Sequence, residues 1–130
     1  QVKTLGFKLG LHTAGAYPRR LAELLPELDW VAMDIKASFA DYAATTGVAD
    51  SGEPALESVR LIIASGIDYE FRTTVHPDLL PAAALPALAR GLALQARVEG
   101  GVALRLDEHV ELPGQSRDRV APILAGDAAA

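Results

Sequence analysis

The sequence contains no cysteine. Its own residues can therefore form no disulfide, no thiolate-ligated zinc site and no cysteine-ligated iron–sulfur cluster. Aromatic residues are scarce, at 5% of the chain. That scarcity argues against a base-stacking platform for single-stranded nucleic acid. Clustered positive charge is missing as well. The 12 lysines and arginines are scattered among 17 acids, and the net charge is −5. A nucleic-acid groove needs a concentrated positive field, so no nucleic-acid partner is expected. No apolar run approaches the ~18 residues of a membrane span. No charged segment leads into an apolar signal core. No membrane partner is expected, and the expected compartment is the cytoplasm. There is no G-x-S-x-G elbow, no P-loop and no G-x-G-x-x-G opening a helix. His12, His76 and His109 lack metal-ligand spacing.

What is present is enough apolar material for one core. Half of the 130 residues are hydrophobic, which fits a single domain over 1–130 and not a disordered chain. The length falls far short of the ~250 residues of a complete (β/α)8 barrel. The first residue is Gln1, and a strand-like pattern begins almost at once. We therefore expect the sequence to start partway through something larger.

Residues 5–13 alternate, with Phe7, Leu9, Leu11 and Thr13 on one face and Lys8, Gly10 and His12 on the other. This predicts a strand. A helix is expected from about Tyr17, with Pro18 at its first position and Leu21, Leu24, Leu25 and Leu28 as its buried stripe. Pro26 should end or kink it. Trp30–Ile35 reads as a short strand covered on both faces. Phe39–Thr45 suggests a short helix. Ser51 is a plausible N-cap for a helix whose apolar face is Leu56, Val59, Ile62 and Ile63, closed by Gly66. Tyr69–Val75 alternates strictly and predicts a third strand. A helix is expected over about 81–89. Strands are possible at 92–94 and 102–106, a closing helix at 117–124, and a frayed tail at 126–130. The order β-α-β-α-β-α implies an α/β layer structure with parallel crossovers. It suits either a small doubly wound sheet or an incomplete parallel (β/α) barrel arc.

In both architectures function sits beyond the carboxyl ends of the strands. Three segments fall there: His12–Gly15, Asp34–Lys36 and Arg72–His76. Alternation puts Trp30, Ala32, Asp34 and Lys36 on one face, and Glu70, Arg72, Thr74 and His76 on one face. If both faces are concave, His12, Asp34, Lys36 and Arg72 converge. Such a mixed cluster suits a zwitterionic ligand, with Arg72 on a carboxylate and Asp34 on an ammonium group. Plainer readings stay open. His12 suits a cap, Asp34 and Lys36 suit a strand-end ion pair, Arg72 suits an exposed position, and His76-Pro77 suits turn chemistry.

The ordered segments Gly10-Leu-His-Thr-Ala-Gly15, Asp29-Trp-Val-Ala-Met-Asp-Ile-Lys36, Asp41-Tyr42 with Thr46-Gly47, and Tyr69-Glu-Phe-Arg-Thr-Thr-Val-His-Pro77 resemble the later half of a radical S-adenosylmethionine (SAM) activating enzyme. The chain is most similar to the activating proteins of anaerobic ribonucleoside-triphosphate reductases, and is similar also to pyruvate formate-lyase activating enzymes. The resemblance covers residues 6 to about 80, weakens through Arg97 and is absent after about residue 101.

It implies the last three to four βα units of a partial TIM barrel. It implies a [4Fe–4S] cluster on a C-x-x-x-C-x-x-C loop, where SAM is cleaved reductively. The resulting deoxyadenosyl radical takes a hydrogen from a glycine of a partner reductase. Carried over by position, Thr13 and its turn would lie near the methionine moiety of SAM. Asp34 and Lys36 match the D-x-K strand end against SAM, Arg72 a strand-end arginine near the SAM carboxylate, and His76 the ribose side. His12 stands where pyruvate formate-lyase-type relatives carry an aspartate. The missing cysteines are the main departure: the chain alone is not expected to perform the radical step. It reads as a fragment, a truncated frame or half of a split protein. The alternative is a cluster-free α/β binding or interaction domain. An arc cut before its first strand would leave an unpaired edge, so self-association is expected.

Overall fold

The computed structural model describes residues 2–96, 104–108 and 122–123. Five strands form one sheet in the order β1 (Gly10–Thr13), β2 (Trp30–Asp34), β3 (Asp68–Val75), β4 (Leu104–Glu108) and β5 (Pro122–Ile123). The first four run parallel to one another, and β5 runs antiparallel to β4. Among the described residues four α-helices lie between β1 and β4: α1 (Pro18–Leu24), α2 (Tyr42–Thr46), α3 (Gly52–Ser65) and α4 (Leu85–Ala96). The molecule is thus α/β, as expected. Among the described strands the order follows the sequence without reversal.

The register sorts the side chains. Leu11 and Thr13 share a face with Val31, Met33 and Ile35, and with Tyr69, Phe71, Thr73 and Val75. The helices cover this face. Val31, Met33, Ile35 and Phe71 join Leu21, Leu25, Val59, Ile62, Leu88 and Leu92 in one buried cluster. Each such side chain contributes roughly 1.5–3 kcal/mol when fully buried. α1 packs on α3, and α3 on α4. The other face carries Gly10 and His12, then Trp30, Ala32 and Asp34, then Glu70, Arg72 and Thr74.

Several expected boundaries shift for identifiable reasons. The strand expected over 5–13 is β1 alone. Lys3–Leu5 forms a 3-10 turn and Gly6 takes φ 84°. Strand pairing needs a partner, and β2 begins only at Trp30, opposite Gly10. Leu5 and Phe7 stay exposed. One link precedes the ladder: Leu9 N–H donates to Asp29 Oδ2 (2.7 Å) and Asp29 N–H to the Leu9 carbonyl (2.8 Å). The bond from Leu9 N–H, with Lys3 beside it, holds the Asp29 carboxyl below its ordinary value.

In α1 Pro18 is the first residue, and the helix tightens to a 3-10 turn at Leu25–Glu27, where Pro26 lies. Leu24, assigned to the stripe, is half-exposed, whereas Leu21, Leu25 and Leu28 are buried. Ser51 does precede α3, but its hydroxyl bonds Thr46 and not the helix. Gly66 closes α3 in the left-handed conformation, φ 71°. The buried face of α3 is Ala55, Ser58, Val59 and Ile62; Leu56 and Ile63 lie at its margins. Residues 92–94 are not a strand. They lie inside α4, because Leu85, Leu88 and Leu92 are spaced to bury one helical stripe. The closing helix expected over 117–124 is not formed at Pro122–Ile123, which pair as strand β5 against β4. Residues 117–121 and 124, and the expected tail, lie outside the described residues. No helix among the described residues is long and apolar enough to cross a membrane.

Candidate functional site at the carboxyl ends of β2 and β3

Asp34 ends β2 and pairs in register with Arg72 of β3. Arg72 Nη2 donates to Asp34 Oδ1 at 2.9 Å, and Lys36 Nζ stands 3.4 Å from Asp34 Oδ2. Glu70 lies one same-face position before Arg72, with Oε1 4.0 Å from Arg72 Nε. That is too long for a hydrogen bond, and Arg72 Nε is buried without a hydrogen-bond partner. Two cations and two carboxylates thus face each other on the side of the sheet opposite the core helices described above.

The strand ends are fixed from behind. Ile35 N–H donates to the Arg72 carbonyl at 2.7 Å, and the buried Thr73 hydroxyl donates to the Ile35 carbonyl at 2.6 Å. Tyr42 of α2 is buried at 3% exposure. Its hydroxyl accepts from Lys36 N–H (3.1 Å) and donates to the Asp34 carbonyl (3.4 Å). Burial pushes the Tyr42 phenol above its ordinary value; the Lys36 hydrogen bond opposes this, and the Asp34 charge adds to it.

The other candidates are placed differently. His12 is exposed on the same face as Asp34, with its ring edge-on to Trp30 at 5.2 Å between centroids. The Thr13 side chain belongs to the helix-covered face, and its hydroxyl accepts from Gly15 N–H at 3.0 Å. Gly15 has φ 68°, and a Cβ there would collide with Met33 and crowd Ser58. The Ser58 hydroxyl donates to the Gly15 carbonyl at 2.8 Å. His76 Nδ1 accepts from Asp78 N–H at 3.2 Å, while its backbone bonds Leu80 in both directions. His76 nevertheless shares a 320 Å³ pocket with Lys36, Thr45 and Thr74. The structure therefore brings Asp34, Lys36 and Arg72 into direct contact, sets His76 in a pocket wall with Lys36, leaves His12 one register row away, and uses the Thr13 hydroxyl in a turn.

Sequence reasoning gave Tyr42 no role, and put Glu70 on the Arg72 face but left it out of the converging cluster. Glu70 was detectable from its i−2 spacing to Arg72 on an alternating strand. Tyr42 carried no such signal. Among the described residues no group of three or more His, Asp or Glu side chains could hold a metal ion.

No protein-family model, curated protein or solved structure matches the chain.

Proposed function

We propose that the Asp34–Lys36–Arg72 rim is the amino-acid subsite of a SAM-binding domain, built from the later βα units of a radical SAM activating enzyme's partial barrel. The carrying observation is the contact of these three side chains at the carboxyl ends of adjacent parallel strands. Among the described residues, the parallel order β1–β4 without reversal and the packing of the core helices on one face support a barrel arc. A doubly wound sheet reverses its order and carries helices on both faces.

The residues fit the zwitterionic end of SAM. Arg72 Nε is a buried donor lacking an acceptor. Arg72 and Lys36 would face the ligand carboxylate, and Asp34 would accept from its ammonium group. They do not fit a [4Fe–4S] cluster, because the chain has no thiolate to offer. In this reading the cluster ligands and the redox step belong to another segment or chain, and the partner is a glycyl-radical reductase. The absence of cysteine also favours a second reading, an α/β binding domain without cluster chemistry.

Calorimetric titration with SAM tests the subsite. Binding should be measurable, and Asp34→Ala and Arg72→Ala should each weaken it by about tenfold or more while circular dichroism shows both variants folded. Heats unchanged in both variants would remove the subsite. An upstream reading frame carrying C-x-x-x-C-x-x-C would favour the first reading over the second. A start codon with no such frame would favour the second.

A further inference from the structure

A second cavity, of about 440 Å³, opens at the same edge of the sheet on the other side of Lys36. Its volume lies in the range of small-molecule sites. The wall is mostly apolar: Ala14, Tyr17, Tyr42, Val48, Ala49 and Pro54 contribute to it. Tyr17 and Val48 are 77% and 58% exposed, large apolar groups left at its mouth. The turn carrying Val48 and Ala49 passes through Asp50, whose φ of 55° is the one positive value of a non-glycine among the described residues.

The polar groups of the wall are mostly spent. The Tyr42 hydroxyl is used by Asp34 and Lys36. The Thr46 hydroxyl bonds the Tyr42 carbonyl at 2.8 Å and the Ser51 hydroxyl at 2.7 Å. Among the lining residues Lys36 is then the one cation and Asp50 the one anion. Lys36 is the looser of the two partners of Asp34, at 3.4 Å against 2.9 Å for Arg72, and is 42% exposed. Its ammonium therefore keeps donor capacity beside an apolar cavity. A single carboxylate on an apolar body would satisfy it. A second carboxylate would meet Asp50.

We propose that this cavity binds a small apolar or aromatic monocarboxylate, seated on the alanine, tyrosine and valine wall with its carboxylate on Lys36. The proposal shares Lys36 with the SAM reading, so the two ligands would compete for its ammonium, but it does not depend on that reading and needs no cluster.

Titration of the 15N-labelled chain with 4-phenylbutyrate, 4-phenylbutanol and phenylsuccinate tests it. The monocarboxylate should shift the amide signals of Ala14, Val48 and Ala49, and bind at least about fivefold more tightly than the alcohol. Lys36→Gln should bring the monocarboxylate down to the level of the alcohol and leave the alcohol unchanged. Val48→Asp, at an exposed position, should weaken the monocarboxylate without unfolding the chain. Asp50→Asn should improve binding of the dicarboxylate. Equal affinity for acid and alcohol, shifts elsewhere, or no binding of phenylbutyrate would overturn the proposal, whatever SAM does.

Discussion

Asp34 and Arg72 are register partners on neighbouring parallel strands, and their side chains close the same rung with an ion pair of 2.9 Å. Strand pairing and site assembly are thus one event. A slip of one residue would turn Arg72 toward the helices. The pair is partly open to water, with side-chain exposures of 37% and 23%. A double-mutant cycle between Asp34→Ala and Arg72→Ala should therefore give a coupling of about 1 kcal/mol at low salt, reduced in strong salt. Urea unfolding of the four proteins measures it. Zero coupling would show that the rung is held by its backbone alone.

Gly15 offers a sharper contrast. A methyl group there meets Met33 and Ser58, and the backbone is left-handed. Gly47 has a similar φ of 70° but open space around it. Gly15→Ala should cost about 2–4 kcal/mol, combining strain with overpacking. Gly47→Ala should cost about 1 kcal/mol, the conformational part alone. Equal shifts in melting temperature would contradict the packing account.

Tyr42 links the rim to pH. Its phenol is raised above 10.0, mainly by burial. The folded state therefore keeps this proton longer than the unfolded state does. The stabilisation is complete below the ordinary tyrosine value and is lost as pH rises through the folded value. Tyrosinate absorbance should show Tyr42 ionising above the ordinary tyrosine value, and unfolding should accompany it. Tyr42→Phe keeps the stack on Phe39, whose ring centroid lies 6.0 Å away, but loses both hydrogen bonds. It should cost about 1–2 kcal/mol at neutral pH and remove the alkaline step. Persistence of that step in the variant would assign it elsewhere.

β1 pairs only with β2 among the described strands, and Leu5 and Phe7, just before it, are 73% and 65% exposed. An open edge beside apolar side chains invites pairing between copies. Size-exclusion chromatography should show concentration-dependent association, relieved by Leu5→Lys with Phe7→Lys. A clean monomer at high concentration would show that the edge is protected.

The sheet was legible wherever alternation met a partner. β3 shows both: Tyr69, Phe71, Thr73 and Val75 alternate, and the strand runs Asp68–Val75. Residues 5–9 alternate equally well but face none of the described strands, and pairing is not written in a local pattern. Leu92-Ala-Leu94 alternates over too few residues to separate strand from helix; the neighbours Leu85 and Leu88 decide it. Of the site, the charged triad was legible because alternation and the strand-end rule put Asp34, Lys36 and Arg72 on one face at one end, whereas the register, which leaves His12 one row away, was not. The Thr13 face was legible too, but not that its hydroxyl closes its own turn. Tyr42 was not, since its hydrogen bonds depend on how α2 returns to β2.

The buried bond from Ser58 to the Gly15 carbonyl joins positions 43 apart in sequence. Its closure must await α3, so the turn after β1 cannot be set as soon as β1 exists. Loop-closure entropy is spent before that contact repays it. Mutations at Ser58 should therefore speed unfolding more than they slow folding, which would make this rim a late-consolidating region of the chain.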